Sequence, residues 1–278
     1  VAAFLKRADE ALRVAEVTLY PFLDLAIRLW LAQAFWVSGV LKLANWDTAL
    51  TLATYEYPVP WLDPFTAAVL GVVTEVLGST LLAFGLATRL AVIPLLILTL
   101  VIQFEYRALD QHLYWAALFG WYMVMGAGPI SLDRLLASGL ASSALPLVGP
   151  LGRLYAALTR YLGPVYQLAL RLWLASLWFT PVLVGRSFLE AVLGFVSPLL
   201  ALGLATRLAA IGAALALLGS GFMGVDEIQA IDRLYQLFLL GLIALRGPGP
   251  IAADTVLQHQ LARWFPPLES WSDAALED

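Results

Sequence analysis

From Leu19 to Leu245 the chain alternates long apolar runs with short polar breaks. Each run is close to the roughly 20 residues that cross a hydrocarbon core as a helix. Strands of alternating polarity are absent from the pattern, and a membrane span must satisfy its backbone hydrogen bonds internally. The pattern therefore predicts an all-α polytopic membrane protein with about eight spans. They are placed at Pro21 to Leu43, Phe65 to Phe84, then after Arg89 to near Phe104, His112 to about Ala127, Pro164 to near Gly185, Phe188 to Leu202, Leu204 to Phe222 and Ile228 to Leu245. Before the first run, residues 1–20 set Lys6, Arg7 and Arg13 against Leu5, Leu12 and Val14, and read as an amphipathic helix at the membrane surface with no signal-peptide pattern. The longest break, from Gly128 to Tyr161, is rich in Gly, Ser and Pro, with an interfacial helix expected around Leu151 to Tyr161.

The second half repeats the first. Leu25-Ala26-Ile27-Arg28-Leu29-Trp30-Leu31-Ala32 corresponds to Leu168-Ala169-Leu170-Arg171-Leu172-Trp173-Leu174-Ala175, with Pro21 and Pro164 at the same offset before them. Gly85-Leu86-Ala87-Thr88-Arg89-Leu90-Ala91 recurs as Gly203-Leu204-Ala205-Thr206-Arg207-Leu208-Ala209, and Gly128-Pro129-Ile130 with Asp133 as Gly249-Pro250-Ile251 with Asp254. Self-similarity of this kind predicts two tandem four-helix bundles in parallel repeat. The expected organisation is a surface helix at 1–20, a first unit at 21–136, a linker with an interfacial helix at 137–162, a second unit at 163–256 and a polar tail at 257–278. An even number of spans places both termini on one side. That side collects Lys6, Arg7, Arg13, Arg89, Arg134, Arg153, Arg160, Arg207, Arg246 and Arg263, against Lys42, Arg107, Arg186 and Arg233 on the other. The excess of positive charge predicts cytoplasmic termini in a cell inner (plasma) membrane.

Composition narrows the function. Hydrophobic residues are 61% and charged residues 13%, half the charge that a soluble domain uses to cover its surface. With no cysteine, disulfides, thiol redox chemistry and cysteine-ligated metal or cluster sites are excluded, and with only His112 and His259 a bis-histidine haem is not expected. The net charge of −4, without a basic block, argues against nucleic acid.

Ionisable groups at membrane depth are costly, so each is a candidate site. Glu75 lies near the middle of the second span and must be protonated or paired, with Lys42 as a candidate partner; Lys42 could equally snorkel to the interface. Two readings of Glu75 stand: a structural helix–helix hydrogen bond, or the binding of a quinone, a proton or a partner. Arg28 and Arg171 read as headgroup anchors or as contacts to an anionic headgroup, to a carboxylate on a neighbouring helix or to a quinone carbonyl. Gln33 and Ser38 offer further donors on the first span. His112, beside Glu105, Asp110 and Gln111, reads as a solvated loop histidine or as part of a proton relay or quinone-head site. The aromatic residues, among them Tyr55, Trp61, Tyr106 and Trp115, form an interfacial belt or wall a quinone pocket. No nucleotide-binding, metalloprotease or nucleophile-elbow motif is present, so electrons for any redox role must come from a partner.

Ser38-Gly39-Val40-Leu41-Lys42-Leu43, the in-span Glu75, the turn Gly85 to Arg89 and the closing Gly128-Pro129-Ile130-Ser131-Leu132-Asp133 together resemble the DoxX family of small four-helix membrane proteins, over roughly Leu25 to Leu136. The second half resembles a diverged copy, in which Gly185 stands at the Lys42 position and Leu193 at that of Glu75. The resemblance implies a redox setting: a membrane subunit of a respiratory-type oxidoreductase that anchors a soluble flavin-, NAD- or sulfur-compound-linked donor and helps bind membrane quinone. The alternatives are a non-catalytic scaffold, with the acidic tail from Leu261 to Asp278 as a contact, and a small-solute transporter, for which Pro94 and Pro198 are the hints.

Overall fold

The computed structural model describes residues 2–106, 110–140, 148–179, 188–221 and 226–264, and all of these are helices, turns or their connections. The chain divides into two compact units, Val1–Thr159 and Arg160–Asp278.

In the first unit, helix α1 (Ala2–Ala44) runs unbroken through Pro21. The surface helix and the first span expected from the sequence are thus one helix in the structure. The segment after it, read as a polar connection, is largely helical: α2 (Trp46–Thr51) continues into a π-helical turn, Leu52–Glu56. Asn45 caps α2 by accepting from the Thr48 amide at 3.3 Å. Ala49 and Ala53, spaced by four, pack on Ala68 and Val72 of the next helix. That helix, α3 (Pro64–Val73), starts with proline in its first turn and Asp63 as N-cap, which accepts from the Thr66 amide at 3.0 Å. Bonding to the Thr66 side chain and amide holds the exposed Asp63 carboxyl below its ordinary pKa. A second π-helical turn, Thr74–Gly78, joins α3 to α4 (Ser79–Phe84). Then come α5 (Thr88–Val101) with a third π turn at Ile102–Tyr106, α6 (Asp110–Met125) and the short amphipathic α7 (Leu132–Leu140).

Helix α8 (Val148–Phe179) carries the chain into the second unit, followed by α9 (Phe188–Leu202), α10 (Thr206–Gly219), α11 (Glu227–Arg246) and α12 (Ala253–Trp264). Residues 265–278 of the expected tail, and Gly185, lie outside the described residues.

Helix α1 packs on α3, α4 and the Thr74–Gly78 turn, and α5 packs on that turn and on α6; in the second unit α10 packs on α9 and α11. Ile27, Leu31, Leu82, Leu95, Leu118 and Phe119 fill the first core, and Leu174, Leu200, Ala213, Leu239 and Leu240 the second. The opposite faces of the same helices are apolar yet exposed, as at Leu70, Leu77, Phe84, Ile97, Phe195, Leu208 and Leu215. Helices apolar on every side belong in lipid. Among the described residues three helical stretches are long and apolar enough to cross a membrane, Pro64–Phe84, Thr88–Tyr106 and Glu227–Arg246, with Phe188–Leu202 and Thr206–Gly219 as shorter apolar helices. The protein is a polytopic helical membrane protein.

Candidate functional site

Lys42 stands in the last turn of α1, and its Nζ donates to Glu75 Oε1 at 2.5 Å. Glu75 is 4% exposed, while the Lys42 side chain keeps 25% of its surface. Two local features bring them together. The first is Gly39, one turn before Lys42, where a Cβ would lie 2.7 Å from Val76 Cγ2 and 2.9 Å from Glu75 Cβ. Only a residue without a side chain lets α1 run this close to the facing backbone. The second is the π turn Thr74–Gly78 that carries Glu75. A π turn interrupts the regular i→i+4 ladder and changes the direction of the side chains on either side of it. The carbonyls it disturbs find hydroxyl donors: Ser79 Oγ donates to the carbonyls of Glu75 and Val76, and Thr80 Oγ1 to that of Val76 at 2.6 Å. Lys42 occupies one carboxylate oxygen. The other, Glu75 Oε2, is buried and has no hydrogen-bond partner among the described residues.

Further buried polar groups lie on α5, the π turn after it and α6. The Cβ position of Gly78 faces Leu95 at 3.1 Å, which sets the level of α5 against the π turn. Thr99 lies one turn beyond Leu95 on α5, and Gln103 one turn beyond Thr99 in the π turn that follows. Thr99 and Gln103 are both buried. His112, on α6, lies with Nδ1 3.1 Å from Gln103 Oε1 and its ring 5.4 Å from that of Trp115. It is a buried helical residue and not a solvated loop histidine. Trp115 in turn meets Phe35 of α1 at 4.9 Å. Apolar walls with a few placed polar groups describe a small-molecule site. Gln103 was not singled out in the sequence, although a glutamine within an apolar run was the available signal.

The other predicted residues lie elsewhere. Arg28 is 14 residues before Lys42 on the same helix, about 21 Å away along its axis. It is fully buried, and its Nε donates to Asp24 Oδ2 at 2.9 Å. Nη1 donates to the carbonyls of Leu82 (3.3 Å) and Ala83 (3.0 Å), and Nη2 to that of Ile130. Arg28 thus closes the end of α4 and ties it to the Gly128-to-Asp133 segment. From that segment Asp133 caps α5, accepting from the amides of Ala87 (2.6 Å) and Thr88 (2.9 Å), and its own amide donates to the Gly85 carbonyl at 2.8 Å. Gly85, with φ +63, leaves room for the guanidinium: a Cβ there would lie 2.7 Å from Arg28 Nη1. Asp24 was missed as a partner, although its spacing of four from Arg28 was legible. Gln33 faces outward and lines a groove of about 320 Å³ together with Leu29, Ala32, Trp36, Ser79, Thr80, Ala83 and Phe84. Ser38 is half-buried beside Gly39.

The second unit repeats the clamp and not the pair. Arg171 donates to the carbonyls of Leu200 (3.4 Å) and Ile251, and Asp254 accepts from the amides of Ala205 (2.7 Å) and Thr206 (2.9 Å). At the place of Glu75 stands Leu193, buried in a plain α-helix.

Residues 23–107 match the family model described as DoxX. The match contains Arg28, Lys42, Glu75 and Gln103, stops short of His112 and does not extend to the second unit. No curated protein and no solved structure matches the chain.

Proposed function

We propose that this chain is the membrane subunit, or membrane domain, of a respiratory-type oxidoreductase, and that its first unit helps seat a membrane quinone. The observation that carries the reading is the Lys42–Glu75 pair: a buried carboxylate in an apolar bundle, one oxygen held by a half-buried lysine and the other without a hydrogen-bond partner among the described residues. A structural ion pair gains most when every acceptor is satisfied, because a half-satisfied buried charge is costly. Asp24 Oδ1 in the fully buried Arg28 clamp is likewise without a partner among the described residues, so what sets this pair apart for a bound molecule is the bare oxygen together with a lysine that keeps a quarter of its surface. The residues fit the head of a quinone–hydroquinone couple: Lys42 supplies a donor for a ring oxygen, and Phe35 and Trp115 supply flat apolar surface. Bound there, a quinone would supply the capacity to accept electrons and protons, while Lys42 and Glu75 bind and orient its head.

Electrons must come from a soluble flavin-, NAD- or sulfur-compound-linked donor, since no electron-carrying motif is present in the sequence. On the orientation given by the distribution of basic residues, the termini and the Arg28 end face the cytoplasm of a cell inner membrane, and the Lys42 end faces outward. In this reading the second unit is structural, because it keeps the arginine clamp and has Leu193 in place of the carboxylate.

The test is to purify the full chain with its native partners in mild detergent, reconstitute the complex and compare quinone reduction in wild type, Glu75→Gln and Lys42→Ala. Losing a hydrogen bond to a charged group should lower the rate by about tenfold or more in both variants. Unchanged rates in both remove the site. Purification with structural proteins and no redox partner would favour the scaffold reading.

A further inference from the structure

The hydrogen-bonding capacity of the pair selects one redox form of its ligand. We infer that the Lys42–Glu75 site takes a membrane-soluble molecule in its hydroxyl-bearing, reduced form, a hydroquinone, in preference to the oxidised quinone. The inference rests on the reading of this pair as a quinone site, and it concerns the ligand's oxidation state alone.

An ionised carboxylate can only accept hydrogen bonds, and an ammonium can only donate them. One of the two Glu75 oxygens is taken by Lys42, and the remaining oxygen, Oε2, is buried and without a partner. The unfilled position at this site is therefore an acceptor. An oxidised quinone presents carbonyl oxygens, which are also acceptors. Against Oε2 they would set lone pair against lone pair and leave a buried charge unsatisfied. A hydroquinone presents O–H donors, and one O–H fills Oε2. The same hydroxyl oxygen, or the oxygen across the ring, still accepts from Lys42, whose ammonium carries three donors and whose side chain remains a quarter exposed. Only the reduced form pairs with both residues at once.

The surroundings sharpen the preference. Glu75 is carried by the π turn, and the close approach of α1 at Gly39 sets its Cβ against that helix. The hydroxyls one turn on, Ser79 and Thr80, are committed to backbone carbonyls. A site built to bond a hydroxyl rejects the analogue lacking it more strongly than an apolar pocket separates shapes, since its buried polar group is then left unpaired.

The test uses the full chain in mild detergent, kept anaerobic, with a decyl-tailed benzoquinone as probe. Calorimetric titrations are run with the oxidised and the pre-reduced probe, and identical titrations into empty micelles are subtracted. The wild-type protein is expected to bind the reduced probe about tenfold or more tightly than the oxidised one, the ratio that one hydrogen bond to a charged group provides. Glu75→Gln, which can offer an amide N–H, is expected to erase or reverse that ratio. Equal affinity for both forms in wild type overturns the inference and leaves the quinone site standing, and this comparison requires no variant to fold. A ratio unchanged in Glu75→Gln also overturns it. Binding of neither form above the micelle background overturns the quinone reading itself.

Discussion

Arg28 shows what a full charge requires inside a helical bundle. A guanidinium carries five N–H donors, and here four hydrogen bonds go to the Asp24 carboxylate and to the carbonyls of Leu82, Ala83 and Ile130. Two of those carbonyls belong to the last turn of α4, where a helix leaves acceptors without intrahelical partners. Removing the arginine alone would strand Asp24 as a buried charge without its counter-ion. Arg28→Met is therefore expected to cost about 3–5 kcal/mol of unfolding free energy, and Arg28→Met with Asp24→Leu to recover part of that loss. Unfolding in mixed detergent and denaturing micelles measures both, and a single variant as stable as wild type would contradict the account. The sequence singled out Arg28 and left open whether it met headgroups, a carboxylate or a ligand. A carboxylate is observed, but on Arg28's own helix and not on a neighbouring one as expected. The carbonyl partners come from residues more than 50 positions away, and no local pattern reports such contacts.

At the scale of elements, the apolar runs located the helices, because a span announces itself by length and composition. The irregularities within them were not legible. One extra residue per turn leaves hydrophobic periodicity almost unchanged over a window of this size, so the π turn carrying Glu75 had no signature of its own. Residues 46–56 read as a polar connection because their buried face is made of Ala49 and Ala53, small residues that contribute little apolar signal. The contact of α1 with the π turn depends on Gly39, and a pair of matched substitutions isolates it. Gly71 of α3 has nothing within 4 Å of its Cβ position, whereas a Cβ at Gly39 would press on Val76 and on Glu75 itself. Gly71→Ala is expected to gain about 0.4–1 kcal/mol from helix propensity and reduced freedom of the unfolded chain. Gly39→Ala, the same chemical change, is expected to lose about 1–3 kcal/mol through overpacking, and to weaken the Lys42–Glu75 pair by pushing α1 away. The check is the sign of the two shifts in unfolding midpoint; a gain at both sites would show that α1 is not held close at Gly39.

For the whole molecule, the repeat was legible because the matched stretches are the parts of the clamp: Arg28 and Arg171, the turns after Gly85 and Gly203, and the Gly-Pro-Ile segments ending in Asp133 and Asp254. What closes one end is present in both units, and the chemistry at the other end of the first unit has no counterpart at Leu193. Within the clamp itself one difference remains. Asp24, which pairs with Arg28, corresponds to Gln167, which lies against Gly249 as Asp24 lies against Gly128. Arg171 accordingly has a buried Nε with no hydrogen-bond partner among the described residues, with Asp254 as its coulombic support. A buried guanidinium without an adjacent carboxylate carries most of its desolvation cost uncompensated. Gln167→Asp supplies that carboxylate at the spacing the first unit uses. It is expected to raise the stability of the second unit by about 1–3 kcal/mol, the range for a hydrogen bond to a charged group, seen as a higher unfolding midpoint of the full chain. The reciprocal Asp24→Gln should lower stability in the first unit, because there an existing buried pair is broken. If Gln167→Asp lowers the midpoint instead, the two clamps are not equivalent in charge, and the second has settled into a neutral arrangement that a new carboxylate disrupts.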